Sequence, residues 1–135
     1  MNRKKIKTNF ESEQRKITLD LIEFDYIPNN INGCKCFLSL NEEQFKKGKY
    51  ILVNDFVVTS YASINGVMTK FIMTFYDNIG VGYSIGTYRS GNLEMKIEVF
   101  HKKTDTKFGI KTGRVTIESK DGRKTVKDFY GECKC

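Results

Sequence analysis

The chain has 135 residues and a formal net charge of +7, and 39% of its residues are apolar. This length predicts one domain with a core of its own, and the composition excludes collagen-like, proline-rich and fully disordered chains. The longest uninterrupted apolar run, residues 50–53, is far too short to cross a bilayer, so we expect no membrane span.

The N-terminal residues 1–16 form a basic segment with a net charge of +4. No apolar stretch follows its lysines and arginines, so it does not resemble a signal peptide. We expect residues 1–16 to form a basic, flexible arm and residues 17–135 to form a single β domain. Without a leader, the expected compartment is the cytoplasm, where thiols stay reduced.

The region that follows the arm is predicted to form two strands and a short helix. Apolar residues in 17–26 change parity halfway, which is typical of a strand with a bulge or of one buried on both faces. A shorter strand is expected within 34–40. Asn41 and Gln44 match a capping box, so residues 41–48 should form a helix of one or two turns.

From residue 49 onward, period-2 alternation broken by turn residues predicts a run of antiparallel strands. The clearest alternation is in 93–99, and Asn65-Gly66 is a strong signal for a two-residue hairpin turn. In the strand 107–118 the apolar phase slips, so we expect a bulge or kink at Gly113. The predicted strands are 50–53, 56–64, 67–76, 79–88, 92–101, 107–118 and 123–131.

Short connections make strands that are consecutive in sequence neighbours in space. The expected fold is therefore all-β, an antiparallel meander of about eight or nine strands with one short helix near 41–48. A small closed or partly open barrel is favoured, because closure removes exposed sheet edges. A two-sheet sandwich is the alternative.

Two Cys-Lys-Cys tripeptides lie far apart in the sequence. If their segments pair antiparallel, Cys34 faces Cys135 and Cys36 faces Cys133, because residues i and i+2 share one face of a strand. Two cross-strand disulfides would then form in oxidising conditions. A structural zinc site with four cysteine ligands is a second interpretation, and four unpaired thiols are a third. No other cofactor is expected.

The segment 80–86 alternates small residues with apolar ones and therefore has one face that is almost bare. That face consists of Gly80, Gly82, Ser84 and Gly86. It is either the floor of a ligand cavity in a barrel or a surface on which aromatic rings of neighbouring strands pack. The many aromatic residues in the chain favour packing.

Positive charge is concentrated in residues 87–135, which have a net charge of +5. The residues predicted to form one basic face of the C-terminal sheet are Lys102, Lys103, Lys107, Lys111, Arg114, Arg123 and Lys127. Such a face attracts phosphate backbones and acidic protein surfaces, and nearby aromatic rings could stack on bases. The alternative is a solvated surface that keeps the protein soluble.

Catalytic residues cannot be assigned from the sequence. The single histidine, His101, has no identifiable partner, and no nucleophile-elbow, phosphate-loop or metalloprotease motif occurs. We therefore expect a monomeric or dimeric protein that is not an enzyme. It would act as a binding or inhibitory module that docks on a protein or nucleoprotein, and contact with RNA or DNA is included in that expectation. A small-molecule carrier with a cavity lined by the bare face of strand 79–88 is the alternative.

Overall fold

Alternating apolar residues and short turns organise most of the chain into strands. The computed structural model describes residues 18–28, 31, 33–55, 58–80, 82–100 and 109–134. The predicted arm 1–16 lies outside these residues. The described elements are β1 (Leu21–Ile22), β2 (Lys35–Ser39), α1 (Glu42–Lys46), β3 (Leu52–Asn54), β4 (Thr59–Ile64), β5 (Val67–Asn78), β6 (Tyr83–Ser90), β7 (Leu93–Phe100), β8 (Ile110–Ser119) and β9 (Lys124–Lys134).

Strands β2 to β9 form a closed antiparallel barrel of eight strands. Each strand pairs with the next one along the chain, and the pairing of β2 with β9 closes the barrel. The remaining strand, β1, lies outside this ring and pairs with the end of β4. The predicted all-β meander is confirmed, and it closes into a barrel instead of splitting into a sandwich.

Local sequence signals set the helix and the first tight hairpin. The side chain of Asn41 accepts a hydrogen bond from the backbone N–H of Gln44 at 2.8 Å, as the capping box predicts. The helix α1 is one turn long and connects β2 to β3. Asn65 and Gly66 both have positive φ, at 52° and 88°, which is the backbone conformation that a type I′ turn requires.

The inner side of the barrel wall carries a buried core, and the outer side is also buried along β3 and β4. The inner cluster is built from alternate residues of the strands: Leu38, Leu52, Ala62, Phe71, Met95, Ile97, Val115, Ile117 and Phe129, together with Leu19 and Leu21. A second cluster on the outer side joins Phe24 and Ile31 to Val53 and Tyr61. The predicted parity change in this segment therefore corresponds to Leu19 and Leu21 in the inner cluster followed by Phe24 in the outer one.

The bulge expected at Gly113 is wrong. The pairing of β8 with β9 runs through Gly113 without a shift, and the pairing with β7 has none up to Gly113, where it ends; the irregularity lies in β5 instead, between Met73 and Phe75. Glycine is needed at 113 because a Cβ there would collide with the Glu98 carbonyl and lie 2.9 Å from the Phe129 ring. The odd-numbered residues of β8 therefore face the inside of the barrel along the whole strand.

Candidate functional site

One end of the barrel contains a pocket of about 350 Å³. It lies where β2, β6 and β8 begin and where β3, β5, β7 and β9 end. Most of its wall is apolar or aromatic, with a small number of polar groups. The lining residues are Cys36, Leu38, Asn54, Met73, Tyr76, Ser84, Tyr88, Ile97, Val99, Lys111, Phe129 and Cys133. Size and composition match those of small-molecule sites.

The opposite half of the barrel is filled, which explains why the space is confined to one end. Phe71, Met95 and Ile117 are fully buried there, and Leu52 and Val115 pack with them. An eight-stranded barrel has an interior just wide enough either to be filled by side chains or to hold one small ligand. In this barrel, side chains fill one half of the interior, and the other half has room for a small ligand.

The bare face predicted for 80–86 is divided in the structure. Gly80 and Gly82 have φ values of 85° and 95° and lie in the connection between β5 and β6, away from the pocket wall. Ser84 is buried and lines the pocket. A Cβ on Gly86 would lie 3.1 Å from the Tyr88 ring, so the ring that covers this glycine belongs to the same strand and not, as predicted, to a neighbouring one. Packing of the Tyr88 ring explains why residue 86 is a glycine, and the cavity explains the small side chain of Ser84.

A polar network lies in the wall of the pocket. The Asn54 side-chain amide donates to Ser60 Oγ at 2.6 Å and to the Tyr88 hydroxyl at 3.2 Å. Burial raises the pKa of Tyr88 above its ordinary value of 10.0, so the phenol stays neutral at physiological pH. The sequence analysis missed this network, because its members come from three strands whose contacts are not local.

Lys111 carries the only charge among the described residues that line the pocket. It lies on β8 opposite Gly131 of β9 and is half-buried. Its ammonium group forms no ion pair or hydrogen bond with any described residue. Lys111 belongs to the basic face predicted from the sequence, but the uninterrupted register of β8 with β9 shows that it faces inward.

Arg114, another predicted member of the basic face, does not share a side of the sheet with Lys111. Arg114 points to the outer side of β8 and pairs with Asp128 at 3.4 Å, while Arg123 lies in the β8–β9 turn and pairs with Asp121 at 3.0 Å. Lys127 is exposed on β9. A continuous strand puts successive residues on opposite sides, which separates Arg114 from Lys111. Lys102, Lys103 and Lys107, and with them His101, lie outside the described residues.

A disulfide between Cys36 and Cys133 joins β2 to β9 at the rim of the pocket. It occurs in the antiparallel register that the two tripeptides predict. Cys34 is also disulfide-bonded, and its predicted partner, Cys135, lies outside the described residues. The described residues include no cluster of three or more metal-binding side chains. Because zinc binds thiolates, the zinc interpretation stays a prediction that concerns the reduced chain.

An outer groove of about 430 Å³ lies at the opposite end of the barrel and is lined by charged residues of β6 to β9. Arg89 is paired with Glu94 at 3.7 Å. The side chains of Lys120 and Lys124 have no carboxylate partner among the residues that the structure describes.

Neither the described helix nor the comparisons with known proteins indicate a function. Within the described ranges, no helix has the length and apolar character needed to cross a membrane. Comparisons of the chain with protein-family models, with curated proteins and with solved structures find no match.

Proposed function

We propose that this protein binds a small, mainly apolar molecule inside the barrel, without a chemical step. The observation that supports this function is the pocket itself, which has a volume of about 350 Å³ and a wall made mainly of apolar side chains. Burying apolar ligand surface against such a wall yields about 25 cal/mol for each Å² removed from water.

The wall of the pocket is held in place before a ligand arrives. The Cys36–Cys133 disulfide fixes the seam between β2 and β9, and the Asn54 amide holds the Tyr88 ring through its hydroxyl. Fewer groups then lose conformational freedom on binding, which favours affinity. The same network offers a phenol and an amide that can orient a polar group of the ligand.

The proposal is tested by a substitution on β6 that fills the pocket with a larger side chain. Ser84→Leu adds an apolar side chain on the pocket side of β6, and Thr87→Leu adds the same side chain on the outer side of that strand. Binding of the neutral fluorophore phenylnaphthylamine is measured by its emission, and the fold by far-ultraviolet circular dichroism. We expect at least a tenfold loss of affinity for Ser84→Leu, with little change for Thr87→Leu.

Should Ser84→Leu fail to fold, Val99→Phe fills the same pocket from β7 and serves as the second variant. Unchanged affinity in a folded pocket-filling variant would contradict binding inside the barrel. Equal losses in the outer-side control would indicate that the fluorophore binds elsewhere on the surface.

A second candidate function, a non-enzymatic module that docks on an acidic protein or nucleoprotein, is supported by the outer groove. Its basis is the pair Lys120 and Lys124, which carry charge that no described carboxylate neutralises. Replacing both with Glu should lower the salt concentration at which the protein elutes from a heparin column. The double change of Lys35 and Lys134 to Glu, at the other end of the barrel, alters the net charge equally. If the two double variants elute at the same salt concentration, the change in elution is caused by net charge alone. That result would contradict a contact specific to the groove.

A further inference from the structure

We propose that the ligand of the interior pocket is an amphipathic acid, which has an apolar body and a single anionic group, and that Lys111 binds this group. The inference rests on the proposed function, since it names the ligand class of the same pocket. A carboxylate and a sulfonate share the required chemistry, which is one negative charge with oxygen acceptors.

The charge of the pocket wall favours an anionic ligand group. Lys111 is the one charged residue among the described lining residues, and its ammonium has no carboxylate partner in the described part of the chain. An ammonium that faces an apolar wall loses part of its hydration without compensation. An anionic ligand group restores a partner, whereas a cationic ligand would add repulsion.

The position of Lys111 along the axis of the barrel also favours an amphipathic ligand. Ile97 pairs with Val115 in the deeper part of the pocket, and Val99 pairs with Gly113 one step nearer the rim. Lys111 lies two residues further toward the rim, a rise of about 7 Å along the strand. The apolar part of the wall is therefore deep and the cation is near the opening.

An apolar wall at the bottom and a cation near the opening orient the ligand. The apolar body would lie against Leu38, Ile97 and Phe129, and the anionic group would stay near the rim and solvent. On β7, Glu98 lies on the outer side of the wall, where it accepts a hydrogen bond from the Tyr83 hydroxyl at 2.7 Å. Among the described lining residues, no carboxylate competes for the ammonium.

Two fluorophores that share one aromatic body test the proposal. Anilinonaphthalene sulfonate carries an anionic group, and phenylnaphthylamine lacks it. Dissociation constants are measured for the wild type, for Lys111→Met and for Lys124→Met, which removes a lysine of the outer groove as a matched control. We expect Lys111→Met to weaken sulfonate binding about tenfold, the effect of losing one charge-assisted contact. Binding of the neutral fluorophore should be retained, and Lys124→Met should leave both constants unchanged.

Competition with decanoate and with decanol extends the test to aliphatic ligands, and Lys111→Arg provides a variant that keeps the charge. Decanoate should displace the neutral fluorophore from the wild type and from Lys111→Arg better than decanol does. A sulfonate preference that survives in Lys111→Met would overturn the role of Lys111 while leaving a pocket for apolar ligands. Failure of both fluorophores to bind, or binding that Ser84→Leu does not affect, would overturn the proposed function itself.

Discussion

The disulfide across the barrel seam should supply a large share of the stability of the fold. Cys36 and Cys133 are 97 residues apart in sequence. In the chain-entropy description, a cross-link that closes a loop of this length raises the free energy of unfolding by about 4.7 kcal/mol, and measured values for disulfides are usually about 2 to 4 kcal/mol. We therefore expect loss of this cross-link to lower the free energy of unfolding by about 3 to 4 kcal/mol, and full reduction, which also opens the Cys34 disulfide, to lower it by at least this amount.

Equilibrium unfolding in urea, with and without a reductant, measures this difference. The chain has no tryptophan, so the transition is followed by tyrosine emission and by circular dichroism. The midpoint should fall on reduction, and the slope m should rise because the reduced unfolded chain exposes more surface. The intact mass of the denatured protein should increase by two hydrogens for each disulfide that is opened.

The control is the double variant with Cys36 and Cys133 both changed to Ala. In reductant it should unfold at nearly the same midpoint as the reduced wild type, because neither protein then has the cross-link. A wild type that is fully reduced by mass, yet unfolds at the midpoint of the oxidised protein, would refute the entropic argument.

Three further predictions concern packing, hydrogen bonding and pH. Gly131→Ala places a Cβ 2.6 Å from the Phe37 carbonyl oxygen, so it should lower the free energy of unfolding by about 1 to 3 kcal/mol in urea; an unchanged midpoint would contradict this packing. Tyr88→Phe removes a hydroxyl that accepts a buried hydrogen bond, so it should lower the free energy of unfolding by about 1 kcal/mol in the same assay. An unchanged free energy of unfolding would mean that this hydrogen bond makes no net contribution to stability. Hydrogen bonds, chiefly from the Ser119 hydroxyl, lower the pKa of Asp121 from 3.8 to about 2. The stability from this carboxylate should be complete above 3.8 and lost as the pH falls toward 2, and Asp121→Asn should abolish that dependence; an Asp121 carboxyl that titrates near 3.8 by NMR would refute it.

Features with a local chemical signature could be predicted from the sequence. The capping residues of α1 and the Asn65-Gly66 turn need only residues close in sequence, and both are confirmed. One non-local pairing could also be predicted, because only one antiparallel register of the two Cys-Lys-Cys tripeptides faces both cysteines of each with cysteines of the other. The observed pairing of Cys36 with Cys133 has that register.

The phase of β8 could not be predicted, and the reason is the pocket. The rule that apolar residues face inward assumes a filled interior. At the pocket end, Ile110 is paired with Glu132 on the outer side and Lys111 faces the inside. A lysine tolerates this position because the pocket leaves it half-buried rather than enclosed. Sequence reasoning therefore assigned a kink to Gly113 at the point where the interior changes from a packed core to a cavity.

The packing of residues 18–28 and 31 could not be predicted from the sequence either. The parity change showed that the segment is apolar on two sides, but it did not show what covers each side. In the structure, Phe24 bridges to Tyr50 and packs in the outer cluster with Val53 and Tyr61. These contacts join residues more than twenty positions apart, and hydrophobic periodicity carries no information on such partners.

The two candidate functions differ in how they use the positive charge of the chain, and salt separates them. A docking surface that neutralises several phosphates or carboxylates loses affinity steeply as salt rises, because each contact releases a counterion. The interior pocket offers one ammonium, Lys111, beside an apolar wall. Binding of an amphipathic acid there should weaken only modestly with salt, since apolar burial is not screened and a single partly buried ion pair is screened weakly. A net charge of +7 is therefore no argument for docking by itself, because the structure turns Lys111 inward and pairs Arg114 and Arg123 with carboxylates.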